Sequence, residues 1–445
     1  MAVLSIAGSS PDGAAGVQMD LKVFDALGTM GTSVITALTS QNTKETKGMW
    51  WVPPEIILSQ LRSVFSDVDI KAVKIGMIGH PEVARTVYEY LKRKKVSVVF
   101  DPVMSAQSDK RSLFEAGALP YIRKLISISD VVTPNTDEAE TITGMEVSTI
   151  SGAEEAAERI QKMGAKAVLI TGIRTGVISD VFKYDFKFTY TKQIKVGGTK
   201  GGGCCLSSAI AAFMSQGISI PSSVEHAEGF VDAAISYKRK IGHGIHSLDP
   251  LSTLRKDADR YSVLCNTKAA LTMLETHNEF TPFIPEIGTN IVCAISSAQT
   301  IHEVAGVVGR IRDAMGIPKS LGIVEFGASS HMARAVITAM SINPERCSAV
   351  NMAVVPKLDS ACRKAGFSIG RFDRRYEPKG KRKSGSMEWG ILHAAKKGKV
   401  PDVVFDSGSI GKEPSAFVFG HDAIDAVTKS LKIAATSLRN SAKYR

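Results

Sequence analysis

The chain has 445 residues, a hydrophobic fraction of 44% and a formal net charge of +11. This length exceeds what one hydrophobic core usually organises, so we expect two globular domains. No run of about 18 apolar residues is available to span a bilayer, and the N-terminus lacks a signal-peptide pattern, so we expect a cytoplasmic protein with no membrane partner. The six scattered cysteines lack zinc-ligand spacing and indicate reduced thiols.

The positive charge is concentrated in the second half of the sequence. Residues 1–260 contain 30 basic and 28 acidic residues, whereas residues 261–445 contain 25 basic and 16 acidic residues. This excess favours an anionic ligand, which on charge alone is a nucleic acid, a polyphosphate or a phosphorylated metabolite. The basic run at 379–383 has little aromatic interleaving, which disfavours nucleic acid. It either closes on a phosphate or is a solvated charged loop.

Short apolar runs alternate with amphipathic stretches through residues 1–250. Runs such as VLSIAG, SVITALTS, AVKIGMIG and VSVVFDPVM predict strands, and stretches such as PEIILSQLRSVF, PEVARTVYEYLKRK and EEAAERIQKMG predict helices. Strands that alternate with helices predict a three-layer α/β/α domain with a mostly parallel sheet.

A second α/β domain is expected over residues 266–445. The charged segment 251–265 follows Pro250 and predicts a linker before it. The strand candidates are 290–296, 321–327, 348–355 and 402–408, and the helix candidates include 303–316 and 331–340.

The segment GGTKGGGCCLSS, residues 197–208, is the strongest local motif. Glycines let the backbone turn tightly and aim several N–H groups at one point, and a following helix adds its positive end. Such a turn is suited to hold a phosphoryl group in transfer. The alternative is a flexible glycine loop. The chain has no G-x-x-x-x-G-K-[ST] motif, which argues against a P-loop kinase.

This glycine turn is one of several motifs that occur in a fixed order. The others are AGSSPDGAAGVQMDL at 7–21, QNT at 41–43, KIGM at 74–77, DPVM at 101–104 and TPN at 133–135. In this combination, residues 1–250 resemble the hydroxymethylpyrimidine (phosphate) kinases of the ribokinase superfamily, which open with AGSDPSGGAGIQADL. The resemblance implies that hydroxymethylpyrimidine and its monophosphate are phosphorylated, with ATP and Mg²⁺ as cofactors.

The same resemblance implies a set of candidate site residues. The pyrimidine is expected at Gly8, Asp20, Gln41, Met77 and Val103, the ATP phosphates at Asn135, Lys200, Gly201, Gly202 and Gly203, and the magnesium ion at Asp101 and Glu138. Gln41 offers both a hydrogen-bond donor and an acceptor, as an aminopyrimidine edge requires. The alternatives are a surface amide for Gln41, a helix cap for Glu138 and a turn residue for Asp101.

Cys204 matches the cysteine that the family has where sugar kinases of the superfamily carry an aspartate base. A free thiol has a pKa of about 8.5, and a helix N-terminus lowers it, so we expect Cys204 to deprotonate the hydroxymethyl group. The monophosphate needs no such base because it is already an anionic nucleophile. The alternative is a buried structural cysteine, which is the role expected for Cys205.

Three departures from the family pattern fall on the ATP side. Gln107-Ser108-Asp109 replaces Lys-Ser-Gly, Lys200-Gly201-Gly202-Gly203-Cys204 replaces His-Gly-Thr-Gly-Cys, and Thr171-Gly172-Ile173 replaces a Lys-Gly-Gly-like turn. Our hypothesis is that Lys200 compensates for the lysine lost at position 107. The alternative is a weak or lost kinase activity.

The second domain contains small-residue and basic motifs but no nucleotide-binding turn. They are GRI at 309–311, EFGASSH at 325–331, NM at 351–352, FDRR at 372–375, EWG at 388–390 and GKEP at 411–414. In this order they resemble the ThiN-type thiamine-phosphate synthase domain. The resemblance implies condensation of hydroxymethylpyrimidine diphosphate with hydroxyethylthiazole phosphate and release of pyrophosphate.

A leaving pyrophosphate needs fixed cations and hydrogen-bond donors. The catalytic candidates are Arg310 and His331, and the candidates for substrate binding are Ser329, Ser330, Arg374, Arg375 and Lys412. The two serines precede a helix expected to begin at His331, so a helix N-terminus would face the anion. The alternatives are a solvated helix arginine for Arg310 and a helix cap for His331.

Together the two resemblances predict a bifunctional enzyme of thiamine biosynthesis, in which the first domain makes the diphosphate that the second consumes. We expect small-molecule substrates, no nucleic acid partner and a homodimer. The competing hypothesis is that only one domain is active and that the second binds thiamine phosphates as a regulator. The sequence shows no evident helix-turn-helix to support that role.

Overall fold

The computed structural model describes residues 1–106, 108–174, 178–185, 187–192, 199–296, 298–377, 386–395, 398–409 and 411–442. It divides the chain into two compact units, Met1–Leu254 and Arg255–Arg445. In this described part of the chain, no helix is both long and apolar enough to cross a membrane.

The first unit is built on a large, mostly parallel sheet. Its strands are β1 (Ala2–Ser9), β2 (Met30–Gln41), β3 (Thr46–Trp51), β4 (Ile70–Ile75), β5 (Ser97–Phe100), β6 (Val131–Val132), β7 (Ala167–Arg174), β8 (Ile178–Tyr184) and β9 (Lys187–Lys192). Their order is β3-β2-β1-β4-β5-β6-β7-β8-β9. Neighbours from β2 to β7 pair parallel, and antiparallel pairing occurs at the edges, at β3, β8 and β9. A short ribbon joins β10 (Thr199–Lys200) to β11 (His246–Ser247).

Helices cover both faces of this sheet. They are α1 (Gly16–Ala26), α2 (Pro54–Asp67), α3 (Pro81–Leu91), α4 (Leu119–Ile126), α5 (Thr136–Thr143), α6 (Ile150–Lys162), α7 (Gly202–Ser215) and α8 (Ile220–Ser236). Successive strand residues point to opposite faces. Leu4 and Ile6 therefore pack with α2 to α6, whereas Val3 packs with α1, α7 and α8. The predicted three-layer α/β/α arrangement is confirmed.

The segment 251–265 differs from the expected linker. It lies in a helix, α9 (Ser252–Glu275), and the second unit begins inside that helix at Arg255. The segment contains Lys, Arg and Asp residues, and its charges predicted a linker at the domain boundary. Lys and Arg are, however, good helix formers, so a charged composition does not by itself exclude a helix.

The second unit has a mostly antiparallel sheet. Its strands are β12 (Ile291–Ala294), β13 (Val304–Val307), β14 (Ile311–Asp313), β15 (Pro318–Ser320), β16 (Val324–Phe326), β17 (Ser348–Ala353), β18 (Ile369–Phe372), β19 (Val403–Asp406) and β20 (Ser415–Gly420). Seven of them form one sheet in the order β16-β13-β12-β17-β20-β19-β18, and β14 and β15 form a separate hairpin. Within the seven-stranded sheet, β18 and β19 pair parallel.

Both faces of this second sheet are also covered. The remaining helices are α10 (Ser330–Ile342), α11 (Leu358–Lys364), α12 (Ser386–Ala394) and α13 (Ala423–Ala442). Cys293 and Val418 pack toward α9, α11 and α13, whereas their neighbours Val292 and Phe417 pack toward α10 and α12. The expected second α/β domain is therefore present.

The helix expected at 303–316 is wrong, because this segment forms β13, a tight turn and β14. Gly309 and Arg310 adopt left-handed backbone angles, with φ of +73° and +67°. A right-handed helix cannot pass through two such residues. Arg310 is therefore a turn residue between strands, which also rules out the alternative that it is a solvated helix arginine.

Candidate active sites of the two units

A cavity of about 840 Å³ opens at the carboxyl ends of the parallel strands in the first unit. This is the edge where α/β sheets usually bind ligands. Most of the residues that the sequence assigned to the pyrimidine, the ATP phosphates and the metal line this one cavity: Gly8, Gln41, Met77, Asp101, Val103, Asn135, Glu138, Lys200, Gly201, Gly202, Gly203 and Cys204. The structure therefore brings together motifs that lie far apart in the sequence.

Two glycine-rich turns pack closely at one side of the cavity. Gly16 and Gly201 have φ of +59° and +94°, and α7 begins directly after Gly201. A Cβ atom on Gly201 would lie 2.3 Å from the carbonyl oxygen of Ala14, so only glycine allows this approach. The first turn of α7 lines the cavity through Gly202, Gly203 and Cys204. Gly197 and Gly198 lie outside the described residues.

Another part of the cavity lining is more apolar. Met77 belongs to a small cluster with Ala37, Ala106 and Leu113, and Val103 packs against it. Gly8 approaches Met77 so closely that a Cβ atom would lie 2.8 Å from the sulfur. This wall suits a flat, partly apolar ring.

Gln41 ends β2 beside this wall. Its Oε1 atom has only long contacts, 3.5 Å to the hydroxyl groups of Ser10 and Thr39. Its amide is therefore available to a ligand, as a pyrimidine-binding role requires.

Lys74 forms the centre of a buried polar network at the floor of the cavity. Its Nζ atom lies 3.0 and 3.1 Å from the carboxylate oxygens of Asp20 and 3.9 Å from Oδ2 of Asp101. Asp20 also accepts hydrogen bonds from the hydroxyl groups of Ser5 and Ser208, at 2.6 and 2.8 Å. Burial by itself lowers the pKa of Lys74, but these nearby negative charges outweigh it and raise the pKa. Lys74 is therefore a permanent cation.

This network changes the position expected for Asp20. Asp20 is fully buried beneath the cavity and does not line it. It cannot contact the pyrimidine directly, and it instead holds Lys74. A Cβ atom on Gly76 would lie 2.8 Å from Nζ of Lys74, so the glycine of the KIGM motif leaves room for the ammonium group.

Cys204 lies in the first turn of α7 and lines the cavity. Burial raises the pKa of its thiol to about 12; the charge of Lys74 opposes this shift, and the carboxylates of Asp101 and Asp20 add to it. Burial raises the pKa of the neighbouring Asp101 carboxyl group, and a hydrogen bond from the Cys204 thiol opposes that rise only in part. The expectation that the helix N-terminus lowers the thiol pKa is therefore wrong, because burial outweighs it.

Asn135 and Glu138 form the reciprocal cap that begins α5. The Asn135 side chain accepts a hydrogen bond from the Glu138 backbone N–H at 3.0 Å, and Glu138 Oε2 accepts from the Asn135 N–H at 2.9 Å. The capping alternative for Glu138 is confirmed, and both residues still face the cavity. Beside them, the buried hydroxyl of Thr133 has no hydrogen-bond partner among the described residues and also lines the cavity.

Asp101 and Glu138 fit a divalent cation. Burial raises the pKa of Asp101, with Lys74 opposing the shift. Burial and then the charge of Asp101 raise the pKa of Glu138 to about 8. A bound cation would relieve both carboxylates. The described residues contain no group of three or more metal-binding side chains, so water and phosphate oxygens would complete the coordination, as magnesium prefers.

The structure does not place Lys200 as a free replacement for the missing family lysine. The Lys200 side chain is buried, and its Nζ atom is 2.5 Å from Oδ2 of Asp12. Asp12 in turn accepts hydrogen bonds from the Ser10 hydroxyl and the Ala14 N–H. Lys200 therefore ties the two glycine-rich turns together while Asp12 neutralises its charge. Gln107 lies outside the described residues.

The second unit gathers several of its predicted residues around His331 on α10. Burial of the imidazole lowers its pKa to about 4, and the positive charges of Arg374, Lys412 and Arg310 lower it further against the opposing charge of Asp406. His331 is therefore neutral near pH 7. Its ring centre lies 6.4 Å from that of Phe417 on β20. Arg374, Lys412 and Arg310 thus lie near enough to His331 to influence its charge.

The adjacent arginines at 374 and 375 do not form the expected pair of phosphate forks. Arg374 is 93% buried, and its Nε and Nη2 atoms donate to Asp406, with Nε–oxygen distances of 2.8 and 3.0 Å. Its third nitrogen, Nη1, is buried and has no partner within the described residues. Arg375 is exposed and pairs with Asp373. Of these two arginines, Arg374 is the one whose charge helps to lower the pKa of His331.

The two serines lie at the start of α10, as expected, whereas Arg310 lies in the turn between β13 and β14 and not in the expected helix. Ser329 is the N-cap residue of α10 but makes no side-chain capping bond, and Ser330 is the first helical residue. Their hydroxyl groups are therefore compatible with a ligand at the helix N-terminus. Arg310 donates to the carbonyl oxygen of Ile287 at 2.7 Å, which leaves other guanidinium nitrogens available. The basic run at 379–383 lies outside the described residues.

Comparison with known proteins identifies both units. Residues 10–249 match the family model described as phosphomethylpyrimidine kinase, and residues 266–432 match that described as thiamine-phosphate synthase ThiN. The bifunctional thiamine biosynthesis protein ThiDN of Methanocaldococcus jannaschii is 31% identical over 96% of this chain and 97% of its own length. The chain belongs to this ThiDN family. It is a thiamine-biosynthesis enzyme with a kinase domain and a synthase domain.

Other relatives support the assignment of the ThiDN kinase unit. The hydroxymethylpyrimidine/phosphomethylpyrimidine kinase of Aquifex aeolicus is 37% identical over 56% of this chain and 100% of its own length. Pyridoxal kinase from Staphylococcus aureus, solved with pyridoxal, covers 57% of this chain and 94% of its own, with 28% identity and a TM-score of 0.53. An ADP complex of Bacillus subtilis pyridoxal kinase gives 26% identity, the same TM-score of 0.53, and coverage of 57% and 98%. The kinase unit thus has the ribokinase-like fold.

Two residues of the kinase unit line the cavity although the sequence predicted no role for them, Lys74 and Thr133. Lys74 belongs to the KIGM motif, and a lysine within an otherwise buried strand is a strong sign of a paired charge. Thr133 belongs to the TPN motif. Its unpartnered hydroxyl is visible only in three dimensions.

Proposed function

We propose that the kinase unit transfers phosphate from ATP first to hydroxymethylpyrimidine and then to its monophosphate, and that the ThiN unit condenses the diphosphate with hydroxyethylthiazole phosphate. The observation that carries the kinase half is one cavity whose lining includes both the apolar wall at Met77 and the glycine turn at the start of α7. A flat ring and a transferring phosphoryl group need these two surroundings side by side.

In the first transfer, the hydroxymethyl oxygen attacks the γ-phosphorus while the bond from that phosphorus to the ADP oxygen breaks. The N–H groups of Gly202, Gly203 and Cys204 at the start of α7 are positioned to bind the phosphoryl oxygens. Gln41 and the wall at Met77 orient the pyrimidine. We propose that Cys204 accepts the hydroxyl proton in its thiolate form and becomes a neutral thiol.

Magnesium is the proposed second cofactor of the kinase unit. Asp101 and Glu138 are the residues that would hold it, directly or through water. When bound, the ion would neutralise charge on the ATP phosphates. Lys74 stays beneath these carboxylates as a fixed cation and limits their mutual repulsion.

In the ThiN unit, the C–O bond between the pyrimidine methylene group and the diphosphate breaks, pyrophosphate leaves, and the thiazole nitrogen forms the new C–N bond. We propose that Arg310, Lys412 and the free nitrogen of Arg374 bind the departing phosphate oxygens. Neutral His331 is then a hydrogen-bond donor rather than a cation. Ser329, Ser330 and the N-terminus of α10 add further donors. Arg375 remains a weaker candidate on the exposed side.

Each half is tested separately with the full chain. For the kinase, we expect ADP and pyrimidine diphosphate to form from hydroxymethylpyrimidine and Mg-ATP. For the synthase, supplied diphosphate and thiazole phosphate should yield thiamine phosphate and pyrophosphate, and His331→Ala should reduce this turnover. Tight binding of thiamine phosphate with no turnover of the supplied diphosphate would contradict the synthase proposal and indicate a regulatory unit.

The proposal also covers the location, the partners and the oligomeric state of the enzyme. We propose a cytoplasmic enzyme that acts on small molecules, without a nucleic acid partner, and that assembles as a homodimer. Sedimentation of the purified chain tests the last point. A single species with the mass of one chain across micromolar concentrations would contradict it.

A further inference from the structure

A short hairpin follows β5 at the edge of the kinase cavity. Ser105 and Ser112 form an antiparallel bridge, and the Ala106 N–H donates to the carbonyl oxygen of Arg111 at 2.8 Å. The hairpin carries one of the three departures from the family pattern, because Asp109 replaces a glycine there. The conformation of this hairpin therefore determines which side chains it presents where the family pattern places the ATP phosphates.

Two residues of the hairpin hold the same residue of β3. Asp109 Oδ2 accepts the Thr46 N–H at 2.7 Å, and Arg111 Nη1 donates to the Thr46 carbonyl oxygen at 2.9 Å. The backbone N–H of Thr46, followed by smaller contributions that include the N–H of Arg111, lowers the pKa of Asp109, so it stays ionised. The added anion therefore holds the hairpin to β3, and Asp109 is not among the residues that line the cavity.

Lys110 lies between these two anchors in an unusual conformation. Its φ is +59°, a left-handed region that few lysines adopt and that costs free energy. Both neighbours are fixed on Thr46, while Lys110 itself is exposed and lines the cavity. The anchored hairpin thus presents a lysine to the cavity at a strained position.

The other lysines that line the cavity are already neutralised. Lys74 is paired with Asp20 and Lys200 with Asp12, and both side chains are buried. Among the described residues, Lys110 and Arg174 are the cavity-lining cations that form no ion pair or side-chain hydrogen bond. Arg174 ends β7. A polyanionic substrate in this cavity therefore meets an uncompensated positive charge at Lys110.

We propose that Lys110 binds a phosphate group in the kinase cavity and supplies the cation that the family pattern places three residues earlier. The phosphate belongs either to ATP or to the pyrimidine monophosphate, since both carry the same oxyanion. The Asp109–Thr46–Arg111 contacts hold Lys110 in place, which gives Asp109 a role in this chain. This inference rests on the proposed kinase function.

The test compares Lys110→Met with Lys47→Met in the full chain. Lys47 is an exposed lysine on β3 that does not line the cavity, so it controls for loss of a surface charge. We expect Lys110→Met to raise the relevant KM roughly ten- to hundred-fold, the effect of losing one charge-assisted hydrogen bond, with Lys47→Met unchanged. Lys110→Gly removes the backbone strain as well as the charge. It should give the same loss in a protein at least as stable.

The substrates separate the two sources of phosphate. A higher KM for ATP with both acceptors, and weaker binding of ATP but not of AMP in titration calorimetry, identifies the polyphosphate. A higher KM for the monophosphate alone, with the alcohol unaffected, identifies the acceptor phosphate. Unchanged constants in both Lys110 variants, or an equal change in Lys47→Met, would overturn the inference. A wild-type chain that binds ATP but transfers no phosphate would instead refute the proposed kinase activity. The comparison of ATP binding between the wild type and the Lys110 variants would still test the role of Lys110.

Discussion

Replacing Lys74 by methionine should damage both the stability and the phosphoryl transfer of the kinase unit. The substitution leaves the fully buried carboxylate of Asp20 without its cation. Removing one partner of a buried ion pair typically costs about 3–5 kcal/mol. At roughly 2–4 °C per kcal/mol for a domain of this size, the melting temperature of the unit should fall by about 6–20 °C.

The kinetic effect follows from the contacts that the network makes with α7. Ser207 donates to Asp101 at 3.2 Å and Ser208 to Asp20 at 2.8 Å, one turn beyond Cys204. Lys74 therefore positions the helix end that binds the phosphoryl oxygens. Below its melting temperature, Lys74→Met should lose kcat for the alcohol and the monophosphate alike, with little change in KM for ATP.

Two further variants separate the effect of Lys74 on the position of α7 from its effect on the stability of the kinase unit. Lys183, a buried lysine on β8 away from the cavity, gives the matched control Lys183→Met, which should keep its kcat. The neutral pair Asp20→Asn with Lys74→Met should recover much of the melting temperature but not the turnover. Normal kcat in Lys74→Met, or full recovery of kcat in the neutral pair, would refute the reasoning.

Three other substitutions test separate parts of the structure. Cys204→Ser should reduce phosphorylation of the alcohol at least tenfold more than that of the monophosphate; equal losses in a competition assay would remove its role as base. The pH profile of the synthase should show no inflection near 6.5, because the pKa of His331 is lowered to about 4; an inflection there that disappears in His331→Gln would contradict the neutral imidazole. Burial tends to raise the pKa of Glu303, but Lys256 and two backbone N–H groups outweigh it and lower it to about 2. The resulting stability is present above pH 4.5 and lost as the pH falls toward 2. Glu303→Gln should flatten that acid transition in circular dichroism, and an unchanged acid transition would show that the ion pair contributes little.

The sequence predicted the framework of the kinase unit well because its strands are buried on both faces. Runs such as residues 3–8 and 72–79 are nearly all apolar and have few alternatives to a central strand. The second unit was harder. Residues 303–316 have helical spacing of apolar side chains, and only the left-handed turn at Gly309 and Arg310 shows that two short strands lie there.

The sequence motifs predicted which segments form the site, but they did not predict which of its charged side chains are paired with one another. Ordered motifs placed Gln41, Asp101 and the glycine turn in one cavity. Which charged side chains remain free for a ligand depends on ion pairs between residues that are distant in sequence. Lys74 pairs with Asp20 across 54 positions, Lys200 with Asp12 across 188, and Arg374 with Asp406 across 32. A single sequence does not specify such pairs, so it assigned free charges to Lys200 and Arg374 and a ligand contact to Asp20.

The most direct test of the central claim follows both units in one reaction. Purified full-length protein is incubated with hydroxymethylpyrimidine, hydroxyethylthiazole phosphate and Mg-ATP, and products are separated over time. We predict thiamine phosphate, with two ADP and one pyrophosphate released for each molecule formed, and with diphosphate accumulating in His331→Ala. Accumulation of diphosphate alone in the wild type, or no consumption of the alcohol while supplied diphosphate is condensed, would contradict a chain in which both units are active.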